Sequence, residues 1–169
     1  GLGDVYKRQV VEKDYTPYHI NQVLALKLVN RDAIAQADLK IVVDAVNSVG
    51  GVVIPALLRA LGVKEIIELN CEPTGHFAHN PEPIPENLTQ IAAKMKESRA
   101  DLGIVVDPDV DRLALISENG EMFGEEYTLV AVADYVLKHT PGNTVSNLSS
   151  SRALKLSLIH ISEPTRQAE

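Results

Sequence analysis

The sequence predicts an α/β fold, a mainly parallel sheet with helical crossovers and one antiparallel edge hairpin. Short apolar runs rich in β-branched residues recur at 39–44, 64–69 and 102–106, each too short for a helix and each followed by turn residues. Helix-like segments lie between and around them, and strand alternating with helix implies parallel strands joined by crossovers. A third observation supplies the hairpin: Glu118-Asn-Gly120 separates the runs 111–117 and 121–123, and an Asn-Gly pair accepts the positive φ angles of a tight turn.

In chain order, residues 17–30 place Ile20, Val23, Leu24, Leu26, Leu28 and Val29 nearer a period of 3.6 than of 2 and predict one helix. The run 39–44 then enters a turn at Asn47-Ser-Val-Gly-Gly51. Pro55 suits the first turn of a helix that closes at Gly62, where glycine can take the left-handed cap. After the strand 64–69 comes a loop at 71–83 rich in Pro and His, then a helix over 85–98, the strand 102–106, the hairpin, and an amphipathic helix over 125–139. Beyond Pro141-Gly142, residues 143–148 read as one more strand, opening a unit that is cut short.

Composition narrows the function. The 169 residues are 45% hydrophobic and 23% charged, the range of one globular domain with pieces of a neighbour. The longest apolar stretch ends at Arg59, well short of the ~20 residues that span a bilayer. With 23 acidic against 16 basic side chains the net charge is −7, and no Lys/Arg cluster offers a track for nucleic acid. Cys71, the single cysteine, allows neither a disulfide framework nor a Cys-based zinc site; it reads as a strand-end residue and fits a reducing cytoplasm.

The chemistry gathers after the strand 102–106, at Asp107-Pro-Asp109-Val-Asp111-Arg112. Three carboxylates at alternate positions repel one another, raise each other's pKa and favour a bound cation as counter-charge. Hard oxygen ligands select magnesium or calcium over softer metals. The competing structural explanation is a solvated acidic turn, which Pro108 makes less natural by stiffening the loop. An EF-hand is excluded, because its sixth position needs Gly and its flanks need helices; here Arg112 holds that position and a strand precedes it. A haloacid-dehalogenase-like phosphatase, with Asp107 as nucleophile and Asp109 as its partner, wants Thr or Val where Asp111 stands. A self-contained metal-binding module is a further alternative.

The strand ending in Asp-x-Asp-x-Asp-Arg, followed by an Asn-Gly hairpin and a helix, resembles domain 2 of the α-D-phosphohexomutases. Asp44-Ala-Val-Asn-Ser-Val-Gly-Gly51 is similar to that family's first strand-to-helix turn, Asn80-Pro-Glu-Pro83 with Glu86-Asn-Leu88 to its pre-helix segment, and Ala100-Asp-Leu-Gly-Ile-Val-Val106 to the strand leading into the metal loop. The resemblance implies a phosphosugar mutase that moves a phosphoryl group within hexose phosphates through a phosphoserine and a bisphosphate intermediate. It implies Asp107, Asp109 and Asp111 as ligands of Mg²⁺, with Arg112 beside the transferring phosphate. It implies no catalytic nucleophile in this chain, since the phosphoserine belongs to domain 1, and it leaves the sugar loop of domain 3 and the phosphate-binding domain 4 elsewhere too. Residues 10–140 are then domain 2 and residues 141–156 the truncated start of domain 3. Segments 1–9 and 157–169 resemble translated sequencing-adapter read-through and are expected to be non-native. The variant Asp-Pro-Asp-Val-Asp-Arg resembles phosphoglucosamine mutases, with glucose and mannose phosphates the competing substrates.

Other candidates have simpler explanations. His76 and His79 lack the spacing of a helical metal pair and are expected to be structural or at the surface. Asn47, Gly50 and Gly51 lie where a helix N-terminus can cradle phosphate, but turn geometry accounts for them. Tyr127 and Tyr135, on one predicted helix, are expected to be packing residues.

Overall fold

The computed structural model describes residues 10–145. Two helices open it, α1 (Thr16–Leu24) and α2 (Arg31–Gln36), where the periodicity predicts one. The reason is local. The chain turns after Leu24, with the Leu26 N–H on the Val23 carbonyl and the Val29 N–H on the Leu26 carbonyl. Asn30 then begins a second helix: its side-chain oxygen accepts the Ala33 N–H at 3.0 Å, an N-cap bond.

The sheet is built from β1 (Lys40–Asp44), β2 (Glu65–Leu69), β3 (Leu102–Val106) and β4 (Leu113–Ser117), in the order β2-β1-β3-β4. β1 pairs in parallel with both β2 and β3, and β4 runs antiparallel at the edge against β3. The crossovers are α3 (Gly50–Leu61), between β1 and β2, and α4 (Thr89–Ser98), between β2 and β3. The chain therefore leaves β1 to one side and returns on the other.

Alternation along β1 sorts the core. Val42 faces a cluster with Leu88, Ile91 and Met95 from the α4 side, whereas Ile41 and Val43 face Leu58 and Val63 from the α3 side. Both faces of β1 are covered, so its sequence reads as a continuous apolar run.

α3 begins at Gly50 and not at Pro55, which sits in its second turn and is buried. Pro55 lacks the N–H that would reach the Gly51 carbonyl, and the helix runs through it. The glycines serve close approach: a Cβ at Gly51 would stand 2.0 Å from the Cys71 carbonyl oxygen, and one at Gly50 2.5 Å from Val106 Cγ2. Gly62 caps the helix at φ +97°, as expected. Residues 85–98 split into a 3-10 turn at Pro85–Asn87 followed by α4.

The edge hairpin is reduced. Met122 bridges Ile116, and the turn is closed by the Gly120 N–H on the Ser117 carbonyl. Gly120 has positive φ but Asn119 does not, so one left-handed residue suffices where two were expected. α5 (Glu125–His139) follows and packs on β4. Residues 143–145 carry no strand; 146–148 of that predicted strand, the rest of 146–156, and both terminal segments lie outside the described residues. No helix among the described residues is long and apolar enough to cross a membrane.

Ile91, fully buried between α4 and the sheet, tests this core. Ile91→Ala should lower the urea unfolding free energy by roughly 3 kcal/mol through lost transfer energy and a cavity. Val52→Ala, at an exposed position of α3, should change it by less than about 0.5 kcal/mol.

Candidate metal centre

The sheet topology chooses the place. Where successive connections leave a strand on opposite sides, the carboxyl ends of the adjoining strands open into a crevice that ligands use. β1 and β3 are those strands. Their continuations, the turn 45–49 and the loop 107–112, meet there: Ser48 Oγ donates to the Pro108 carbonyl at 2.9 Å, from a nearly buried side chain.

Asp107 organises the loop. It is 7% exposed, and its Oδ1 accepts the Asp111 N–H at 3.1 Å and the Arg112 N–H at 3.0 Å, while its carbonyl accepts the Val110 N–H. These bonds hold Val110 at φ +62°, a conformation hostile to a β-branched residue. The loop is thereby folded tightly enough to bring one carboxylate oxygen each from Asp107, Asp109 and Asp111 within 4.8 Å of one another. Asp109 and Asp111 are exposed. The structure thus brings together the three aspartates that the sequence singles out.

Their protonation differs from the expected mutual rise. Asp111 behaves as expected: the charges of Asp109 and then Asp107 push it above the ordinary carboxylate value, and Arg112 only partly offsets them. Asp107 goes the other way. Burial works against its ionised form, but the backbone N–H groups of Arg112 and Asp111 donate to it and bring it below the ordinary value. Asp107 is the permanent charge of the group and Asp111 the one that yields.

Arg112 stands beside the cluster without being locked to it. Its Nε is 3.9 Å from Asp107 Oδ2 and its Nη1 3.7 Å from Glu82 Oε1, both longer than hydrogen bonds, with a side chain more than half exposed.

A second polar group underlies the crevice. Asp44, fully buried at the end of β1, accepts the Val46 N–H at 3.1 Å and Asn70 Nδ2 at 3.2 Å on Oδ1, and its Oδ2 lies 3.0 Å from His79 Nε2. His79 is structural, as expected, but as an interior partner and not a surface residue. Asn47 Nδ2 donates to the His76 carbonyl and the Asn47 carbonyl accepts the Gly75 N–H, so the 71–83 loop is stitched to the turn after β1. Asn47 thus does turn work, as expected. The signal for this cluster was available: an Asp ending a strand buried on both faces requires partners.

Cys71 lies just past β2, half-buried, its thiol pushed up to about 11 by burial and then by the Glu68 and Asp44 charges. Such a thiol is unreactive at neutral pH. Tyr127 and Tyr135 are exposed and pack locally, Tyr127 against Phe123 and Tyr135 against His139, and Tyr135 donates its hydroxyl to the Leu28 carbonyl.

Comparison with known proteins decides what this arrangement belongs to. The sequence profile described as Phosphoglucomutase/phosphomannomutase, alpha/beta/alpha domain II matches residues 17–120. The chain belongs to this family. It is 34% identical over 153 residues to a probable phosphoglucosamine mutase of Methanopyrus kandleri, covering 89% of this chain and 32% of that one. It is 38% identical over 136 residues to a phosphomannomutase/phosphoglucomutase of Pseudomonas aeruginosa, covering 79% of this chain and 28% of the relative. A crystal structure of a phosphoglucomutase/phosphomannomutase family protein from Burkholderia thailandensis superposes with a TM-score of 0.65 at 30% identity, over 87% of this chain and 32% of that one. The chain spans about a third of the length of these relatives.

Carbon-detected carboxyl titration should place Asp111 above and Asp107 below the ordinary Asp value. In Asp109→Asn the Asp111 midpoint should fall, because its largest source of repulsion is gone. An Asp111 midpoint indifferent to Asp109 would separate the two side chains.

Proposed function

We propose that the longer protein represented by this chain is a magnesium-dependent phosphosugar mutase, and that this chain contributes its metal-binding loop. One observation carries the reading: in a chain of the phosphoglucomutase/phosphomannomutase family, three aspartates converge at the carboxyl end of β3, at the switch point of the sheet. A haloacid-dehalogenase-like phosphatase and a self-contained metal module have no comparable support.

The donor set fits a hard divalent cation. Three carboxylates from one short loop leave coordination positions open for water or a phosphate oxygen, the habit of Mg²⁺, which seldom takes an all-protein cage. Oδ1 of Asp107 is committed to two N–H groups, which leaves Oδ2 as its oxygen for a ligand. Asp111 surrenders its raised pKa when a cation replaces the repulsion. Bound magnesium supplies Lewis-acid charge to a transferring phosphoryl group. Arg112, free of tight pairing, adds a positive charge that can turn toward an anion in the crevice.

The nucleophilic phosphoserine, the sugar-selecting loop and the phosphate-binding domain lie in this reading on domains 1, 3 and 4, outside this chain. The substrate is a hexose phosphate. Among the relatives the printed activities include phosphoglucosamine mutase and phosphomannomutase/phosphoglucomutase. The setting is the cytoplasm, where sugar phosphates are made and used.

Mn²⁺ titration followed by water relaxation should show one weak site in this chain, lost in Asp109→Asn. Affinity should fall with acidification from a pH above the ordinary Asp range, since protons compete at Asp111. Equal binding by both proteins would remove the site. The chain alone, given Mg²⁺ and a hexose bisphosphate, should not interconvert glucosamine, glucose or mannose phosphates. Grafted as residues 17–139 into the Pseudomonas aeruginosa relative, it should support turnover, and Asp109→Ala in the graft should cut kcat by roughly 100-fold or more.

A further inference from the structure

The pair that turns the edge hairpin carries chemistry of its own. Asn119-Gly120 is the only Asn-Gly pair in the sequence. An asparagine side-chain amide can be attacked by the backbone nitrogen of the residue that follows it, and glycine, with no Cβ, puts the least bulk and the least conformational restraint in the way of that approach. Asn119 is exposed at the hairpin tip, open to water. By sequence it is the asparagine of this chain most prone to spontaneous loss of its amide.

The fold holds both reacting groups. The Gly120 N–H, which must give up its proton before its nitrogen can attack, donates to the Ser117 carbonyl at 2.8 Å. The Asn119 amide is engaged at both atoms: Oδ1 accepts the Glu121 N–H at 2.9 Å, and Nδ2 donates to Glu121 Oε2 at 2.9 Å. Gly120 is half-buried against α4, where a Cβ would stand 2.8 Å from the Ala92 carbonyl oxygen and 2.8 Å from Lys96 Cε. The hairpin is tied further by the Ser117 N–H on the Glu121 carbonyl, by the Ile116–Met122 bridge, and by Met122 packing on the cluster that holds Ile91 and Met95. Attack takes the Gly120 proton out of its bond to Ser117 and Nδ2 out of its bond to Glu121. The turn must open first.

We propose that Asn119 is a site of spontaneous deamidation whose rate is gated by opening of the edge hairpin. In the open turn the Gly120 nitrogen, its proton lost to a solvent base, forms a bond to Asn119 Cγ. The Cγ–Nδ2 bond breaks, ammonia leaves with a proton from solvent, and a succinimide ring is closed. Water then adds at either carbonyl of the ring and opens it, leaving aspartate or isoaspartate at position 119. Water is the only co-reactant. Either product weakens the turn that shielded it. Aspartate replaces the Nδ2 donor with a carboxylate facing that of Glu121; isoaspartate routes the backbone through the side chain and lengthens it, so the Ser117–Gly120 and Ser117–Glu121 pairings lose register. Met122 then loosens from the core. This inference stands apart from the metal and mutase reading, and its test measures neither.

Peptide mapping by mass spectrometry follows the reaction in the full chain at mildly alkaline pH, folded and unfolded in urea. Unfolded, Asn119 should convert faster than every other asparagine and yield both products; folded, its rate should fall at least about tenfold, the ratio set by the free energy of local opening. Equal rates would remove the gate, and a faster asparagine elsewhere, or no conversion in urea, would remove the site. Met122→Ala, which loosens the hairpin's hold on the core, should speed conversion in the folded chain and amide exchange at Gly120 by the same factor, with the rate in urea unchanged. Faster exchange without faster conversion would overturn the proposal. If that variant does not fold, the folded-to-unfolded ratio of the unsubstituted chain still decides. The isoaspartyl chain, separated by ion exchange, should unfold at lower urea than the unconverted chain; an equal midpoint would overturn the claim that the product opens the turn.

Discussion

The arrangement at the mouth of the sheet depends on one acceptor, Oδ1 of Asp107. It is nearly buried, and it receives the N–H groups of Asp111 and Arg112. Remove those two bonds and only the Val110 N–H on the Asp107 carbonyl is left to hold Val110 in a left-handed conformation that costs of order 1–3 kcal/mol. The loop would relax, and Asp109 and Asp111, which repel each other, would separate. The same two bonds keep Asp107 ionised in spite of burial. One set of contacts thus shapes the loop, concentrates its charge and lowers the pKa of Asp107.

That loop is anchored by the sheet and not by its own sequence. Ser48 reaches Pro108 from the turn after β1, and Gly50 lets the first turn of α3 sit against Val106. Beneath them Asp44 ties the ends of β1 and β2 to the 71–83 loop through Asn70 and His79. A buried carboxylate with three hydrogen-bonding partners is a better anchor than an apolar contact would be, because leaving any one of them unmade strands a charge or a polar group in the interior. Glu82, near the end of that loop, then stands where Arg112 can meet it.

The strands were legible because each is a short β-branched run buried on both faces or at an edge, and periodicity needs nothing more. The acidic loop was legible for the opposite reason: three like charges in five residues have no ordinary packing explanation. The failures share a cause. Asn30 looks like the end of a helix and is the cap of the next; Pro55 looks like a first turn and sits in the second; Gly50 and Gly51 look like a loop and are the opening of α3. In each case a residue with two local meanings was assigned by its neighbours in sequence, while the fold selected the other meaning: at Asn30 through the bond it accepts from Ala33, and at Gly50 and Gly51 through close approach of the Val106 side chain and the Cys71 backbone. The fall of Asp107 belongs to the same class, since its sign is set by hydrogen bonds that exist only after the loop closes.

Charge explains why such a loop is ill-suited to act alone. The chain carries a net charge of −7, and the crevice concentrates three more-or-less adjacent carboxylates with a single flanking arginine. An anionic sugar phosphate approaching that surface meets repulsion over a Debye length of about 8 Å at physiological salt. A divalent cation reverses the sign locally, but three carboxylates leave the site at −1 even when it is filled. Favourable binding of a phosphate there therefore requires positive groups from beyond this unit, and Arg112 is the one the unit itself offers beside the acidic loop among its described residues.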